Sequence, residues 1–208
     1  MKLYDFNFAP NPRRVRWVMA EKGIEDIELV PVDIASGQHK TADYKGKVGF
    51  AHVPALELDD GRVISESVAI CRYLESLYPE PNLFGRDPAE VAEIEMWTRR
   101  VELYLANPMM LHTRHTHPAL AALETPNPAV GAYMKVQGER FLKTLDRHLE
   151  GRDFIIADRV TMADIVAAIG LDFPRIIQWA PDQGLGNVGR WYTAMRARPA
   201  ASAGKRAA

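Results

Sequence analysis

Leu56 and Leu58 alternate with Glu57, the period of a strand with one covered face. Asp59-Asp60-Gly61 follows as a tight-turn signal, because glycine accepts positive φ without steric cost. The β-branched Val63 and Ile64 suit the return strand. After Ser65 the period lengthens: Val68, Ala69, Ile70, Tyr73, Leu74 and Leu77 recur at helical spacing. Upstream, Leu3-Tyr4-Asp5-Phe6 reads as a first strand. Ala9-Pro10-Asn11-Pro12 breaks it and starts a helix, with Pro12 tolerated in the first turn. Val15, Val18, Met19 and the stem of Lys22 give that helix its stripe, and Gly23 closes it. Ile27 to Val32 is a second strand, which makes a right-handed βαβ unit. Asp33 to Ala51 is looser and polar.

The run Pro79-Glu80-Pro81-Asn82-Leu83-Phe84-Gly85, then Asp87-Pro88, reads as a linker. Beyond it no strand pattern recurs. Val91, Ile94, Val101 and Leu105 suit a long helix that Pro108 limits or kinks. Met134, Phe141, Leu145 and Leu149 make another stripe, with Lys135, Glu139, Arg140, Lys143 and Asp146 opposite. Thr161-Met162-Ala163-Asp164 has the logic of a capping box, a structural role, with Ile165, Val166, Ile169 and Leu171 turned to the core. The small-residue tail from Ala200 is expected to fray. The expected organisation is an α/β domain over 1–79, a linker over 80–88 and an all-helical domain over 89–208.

Chemistry collects at the two ends of the hairpin-and-helix unit. Pro54 has no N–H, and a cis Val53–Pro54 bond would turn the peptide groups of Val53 outward, free to pair with another peptide. At the far end Glu66 and Ser67 open a helix. First-turn N–H groups lack internal partners and suit a carboxylate. The Ser67 hydroxyl adds a donor, and the Glu66 carboxylate accepts from an ammonium. A backbone pair, a carboxylate receptor and an ammonium receptor together fit a short zwitterionic peptide.

Val-Pro-Ala-Leu, the acidic-Gly hairpin and Ser-Glu-Ser-Val-Ala-Ile-x-x-Tyr-Leu resemble the glutathione-binding half of cytosolic glutathione S-transferases, of theta-like or bacterial type. The resemblance implies a thioredoxin-like N-terminal domain and an all-helical C-terminal domain. It implies that Pro54 is cis, that Val53 pairs with the cysteinyl backbone of glutathione, and that Glu66 and Ser67 hold its γ-glutamyl end. Gly37-Gln38-His39 is similar to the loop whose histidine touches the glycyl carboxylate, and His52 fills a slot near the same carboxylate. Tyr104, Met109 and His112 fall on the helix that lines the family's electrophile pocket. Glutathione is then a co-substrate, conjugated to a small hydrophobic electrophile in detoxification, by a homodimer.

Such an enzyme raises the thiolate fraction of bound glutathione, usually with a Tyr, Ser or Cys just after the first strand. In this sequence Ala9 stands where serine-type members carry serine, and Tyr4 is out of register. Asn11 is the expected donor to the sulfur, although Asn also caps helices well. Asn7 is a second candidate. The missing hydroxyl leaves open another glutathione-dependent reaction (lyase, isomerase, dehalogenase, disulfide reductase) or a non-catalytic binder.

The remaining candidates read as structural. Arg13, Arg14 and Arg16 suit a solvated helix face. Of His112, His115 and His117 only the first pair has helical metal spacing, and no Cys or acid stands near, so no metal is expected. Cys71 sits among apolar neighbours as an inert core residue. Being the only cysteine, it permits no internal disulfide, which favours a cytoplasmic setting. Methionine 1 leads straight into a strand, so no signal peptide is expected. The net charge of −1 favours neither nucleic acid nor an anionic membrane, and no apolar run reaches spanning length.

Overall fold

Strand β1 (Lys2–Asp5) lies inside a four-stranded sheet, with β2 (Glu28–Pro31) on one side and β3 (Ala55–Glu57) on the other, and β4 (Val63–Ser65) beyond β3. The computed structural model describes residues 1–121 and 123–203. β1 runs parallel to β2 and antiparallel to β3, so Leu3 faces Leu29 on one flank and Leu56 on the other. β3 and β4 form the expected hairpin, with Gly61 at φ 84 in its turn. Helix α1 (Pro10–Lys22) connects β1 to β2, and α3 (Ser67–Leu77) follows β4. Leu3, Val15, Trp17, Val18, Leu56, Ile70 and Leu74 are wholly buried and form the core of this unit. It comprises Met1–Pro81 and the segment from Pro199.

Three expectations for this unit need correction. The polar stretch after β2 contains a helix, α2 (Ala42–Val48), capped by Thr41, whose Oγ1 accepts from the N–H of Tyr44 at 3.3 Å. Only Tyr44 and Val48, one turn apart, are buried on it. Two apolar positions among lysines are too few to register as a period. Secondly, the arginines of α1 do not face solvent. Every residue from Pro12 to Met19 is buried, Arg13, Arg14 and Arg16 included. Arg16 pairs with Asp5 and donates to the carbonyl of Asn7 at 2.9 Å. Burial pushes the Asp5 carboxyl up and the Arg16 guanidinium down, and each opposes the shift of the other. Thirdly, the tail does not fray where expected. Pro199–Ser202 forms a short 3-10 turn with Ala200 and Ala201 buried, and the Ala201 carbonyl accepts from Arg13 Nη2 at 2.9 Å. Residues 204–208 lie outside the described residues.

The second unit, Asn82–Arg198, is helical among its described residues. Helix α4 (Pro88–Val101) passes through a π turn (Glu102–Ala106) into α5 (Asn107–Arg114), which has Pro108 in its first turn. Then come α6 (Pro128–His148), α7 (Met162–Asp172) and α8 (Gly186–Ala197). The sequence period of α7 gives its stripe, but all residues from Met162 to Leu171 are buried. The box at its start is complete. Asp164 accepts from the Thr161 N–H and hydroxyl, and also from Ile155 N at 2.9 Å and Trp191 Nε1 at 2.9 Å. A buried carboxylate with donors on both oxygens ties three segments of this unit together.

Two features of the second unit generate measurable consequences. A Cβ built at Gly170 would lie 2.9 Å from the Ala106 Cα, inside contact distance with backbone. Gly170→Ala should therefore destabilise by about 1–3 kcal/mol through overpacking. The corresponding fall in Tm is roughly 2–4 °C per kcal/mol for a chain of this length, and an unchanged Tm would contradict the close approach. Glu90 takes a double hydrogen bond from Arg159 (2.8 Å to each oxygen), and these bonds hold its carboxyl down at about 2 against an ordinary 4.5. The unfolded chain therefore binds the extra proton between those values. The contribution is whole above pH 4.5 and is lost as pH falls towards 2. Thermal melts should show a Tm that falls more steeply across that window in the wild type than in Glu90→Gln; parallel curves would refute the link.

Candidate functional site

The Val53–Pro54 bond is cis, immediately before β3. Tyr44 braces the preceding turn from α2, its hydroxyl donating to the His52 carbonyl at 2.8 Å. Among the described residues, no other backbone group pairs with the N–H or C=O of Val53. The expected open peptide groups are therefore present.

The other end of the hairpin is the start of α3. Glu66 caps the helix at φ 68, outside the usual region for a side-chain-bearing residue. Its side chain makes no capping bond and is exposed. The first helical bond runs from Ile70 N to Glu66 O, at 2.9 Å. The N–H groups of Ser67, Val68 and Ala69 thus point out of the helix without an internal partner. Ser67 itself is 4% exposed, and its Oγ accepts from Arg14 Nη1 at 3.3 Å. Sequence reasoning missed Arg14, which it assigned to solvent. The available signal was a run of three arginines on one helix with too few acids nearby to neutralise them.

The two histidines expected here differ. His52 is exposed, its ring 4.6 Å from that of Phe50. His39 lies in a short 3-10 turn and is buried, with Nδ1 lacking a hydrogen-bond partner. Burial, helped by the charges of Lys40 and His52, pushes the His39 pKa below its usual 6.5.

The loop from β1 to α1 carries the thiol-activation candidates. Ala9, not Asn11, is the cap of α1, and its own N–H donates to Phe6 O at 3.0 Å. Asn11 is inside the first turn, so the capping alternative for it falls away. Its Oδ1 is buried without a partner. Asn7 is exposed, its carbonyl engaged by Arg16. Tyr4 is committed elsewhere: its hydroxyl donates to Glu57 and accepts from Lys47 Nζ at 3.0 Å.

Tyr104, Met109 and His112 all belong to the helical unit. Tyr104 is 55% exposed on the π turn, with its ring 5.9 Å from that of Phe141. Met109 is wholly buried and would meet any Cβ at Gly138, so it packs the core. His112 is buried and its Nδ1 lies 3.1 Å from Gly131 O. His115 and His117 accept from backbone N–H groups of Asn127 and Ala119. Among the described residues no group of three or more His, Cys, Asp or Glu is placed to hold a metal ion, and no helix is long and apolar enough to cross a membrane. Cys71 is wholly buried, which pushes its thiol pKa up. A cavity of about 350 Å³ in this unit is lined by Val136, Glu139, Leu142 and Leu185 with their neighbours, and not by Tyr104, Met109 or His112.

Comparison with known proteins finds a match for each of the two units. Residues 3–82 match the family model "Glutathione S-transferase, N-terminal domain", and residues 112–199 match "Glutathione S-transferase, C-terminal domain". Glutathione S-transferase 2 of Saccharomyces cerevisiae is 32% identical over 202 residues, covering 96% of this chain and 87% of that protein. The crystal structure of a glutathione S-transferase domain-containing protein from Marinobacter aquaeolei VT8 superposes with a TM-score of 0.91 at 37% identity, covering 96% of this chain and 99% of that one. Gtt2 from Saccharomyces cerevisiae gives 0.89 at 32% identity, covering 96% and 98%.

The enclosure of His39 can be read directly. In a histidine-selective NMR titration its ring should protonate with a midpoint below pH 6.5; a midpoint at or above 6.5 would contradict the buried position.

Proposed function

The chain belongs to the glutathione S-transferase family, and from that premise we propose that it joins the sulfur of glutathione to a small hydrophobic electrophile. The observation that carries this reading is the presence in one unit of open peptide groups at Val53 and an open first turn on α3. In this reading Val53, bent by Pro54, pairs with the cysteinyl backbone. The Ser67 hydroxyl and the N–H groups of α3 receive the γ-glutamyl carboxylate, and Glu66 receives the ammonium. His39 and His52 serve the glycyl carboxylate.

The sulfur then needs a donor. A free thiol has a pKa of about 8.5, and a hydrogen bond to the thiolate lowers it. Asn11 is assigned that bond through its side-chain amide, supported by its place in the first turn of α1. Pro10 and Pro12 carry no N–H, so the first turn of α1 contributes the N–H of Asn11 alone to the positive end of the helix. The thiol proton passes to water, the sulfur lone pair forms the new C–S bond, and the leaving group departs with the electrons of the bond it loses. In the helical unit the exposed Tyr104 is assigned to the electrophile, with Met109 and His112 supporting the backbone that carries it. We assign the enzyme to detoxification in the cytoplasm, as a homodimer with no metal. Ala9, which lacks the usual hydroxyl, keeps a different glutathione-dependent reaction as the second reading.

Asn11→Ala tests the role of the amide. Calorimetry should find glutathione bound within about twofold of wild type, because the contacts assigned to its peptide, carboxylate and ammonium groups all remain. Turnover of a chlorinated nitrobenzene should fall on the order of 10- to 100-fold, the loss of one donor to a developing or full anion. An unchanged rate would remove Asn11 from catalysis. A wild-type protein that takes up no glutathione at millimolar concentration would overturn the reading as a whole.

A further inference from the structure

Helix α1 turns two basic side chains towards α3. Lys22, whose side chain is wholly buried, places Nζ 2.6 Å from Glu75 Oε2. One end of α3 is thereby pinned. Arg14, 2% exposed, does the same at the other end through Ser67. It is also close enough to Cys71, one turn along α3, for its charge to oppose the upward push of burial on that thiol.

A guanidinium offers only donors. The Ser67 oxygen therefore accepts from Arg14, and its single hydroxyl hydrogen has to point elsewhere. At this position the neighbouring open groups, the N–H of Ser67, Val68 and Ala69, are donors too. None of them can take the hydroxyl hydrogen. The result is a set of donors with no acceptor among the described residues, beside the charge of a buried guanidinium that salt screens weakly. Such a set suits an anion.

We propose that Arg14 is a positioning residue for the γ-glutamyl carboxylate of glutathione. It holds the Ser67 hydroxyl as a donor and adds its charge behind the first turn of α3, without touching the ligand. This role rests on the glutathione-binding reading proposed for the site. Arg14 and Ser67 are 53 residues apart, so no motif around Glu66-Ser67 contains the arginine.

The test compares two ligands on the full-length protein by calorimetry. One is glutathione; the other is γ-aminobutyryl-cysteinylglycine, which lacks only the carboxylate in question. Wild type should bind the analogue about tenfold or more weakly. Arg14→Met should lose about tenfold for glutathione and stay within about twofold of wild type for the analogue. Arg14→Lys, which keeps the charge but not the fork, should lose about threefold for glutathione alone. If Arg14→Met does not fold, Arg14→Lys decides, because its loss must vanish when combined with Ser67→Ala. Equal losses for both ligands would make Arg14 a packing residue and overturn the proposal, as would unchanged glutathione affinity. Failure of the underlying reading looks different, since wild type would then bind neither ligand or fail to distinguish them.

Discussion

Three guanidinium groups on one buried helix have to be satisfied, and the first unit is arranged around that requirement. An unpaired charge taken out of water costs several kcal/mol, so Arg13, Arg14 and Arg16 could not be buried on α1 without partners. The partners come from three distant stretches. Asp5 closes β1, Ser67 opens α3, and Ala201 belongs to the returning tail. One helix thus fixes the end of a strand, the start of another helix and the C-terminal segment at the same time.

The consequences reach the site directly. Arg16 holds both Asp5 and the carbonyl of Asn7, which sets the loop leading to Ala9 and Asn11. Arg14 reaches Ser67, the first residue of α3, whose first turn is open. The second unit uses the same device with the opposite sign. Asp164 is wholly buried and gathers donors from Thr161, Ile155 and Trp191, while the Glu90–Arg159 pair fastens Asn82. In both units a few charged side chains, hydrogen-bonded to segments remote in sequence, specify which segments meet, and apolar residues fill the space around them.

Much of this was visible along the chain. The hairpin around Gly61, the linker prolines, the box at Thr161 and the Glu66-Ser67 helix start each depend on residues within a few positions of one another. Local conformational preference is enough to reveal them. The β1 and β2 segments were legible to within a residue or two, because a strand end is a matter of pairing that the sequence does not display. What escaped was of another kind. Helix α2 has only Tyr44 and Val48 to bury, so its amphipathic pattern never repeats. The arginines of α1 look solvated because their partners are remote. The tail is made of small residues that form no periodic stripe, yet Ala200 and Ala201 are buried. The alternative of Asn11 as a cap fails because the helix begins one residue after Ala9, which holds the cap position with backbone alone.

The sequence by itself determined the two-part architecture, the hairpin, the bend at Pro54 as a candidate and the helix terminus at Glu66-Ser67, since each is written in turn chemistry or in a period of two or 3.6 residues. Only the tertiary structure decided which charges are buried and with whom they pair. That choice depends on segments such as Arg14 and Ser67, 53 residues apart, which no local preference connects. It also decided that Tyr4 is taken up by Glu57 and Lys47, and that Asn11 lies inside the first turn of α1 and does not cap it. Burial is a property of the whole packed unit, and a chain read residue by residue does not contain it.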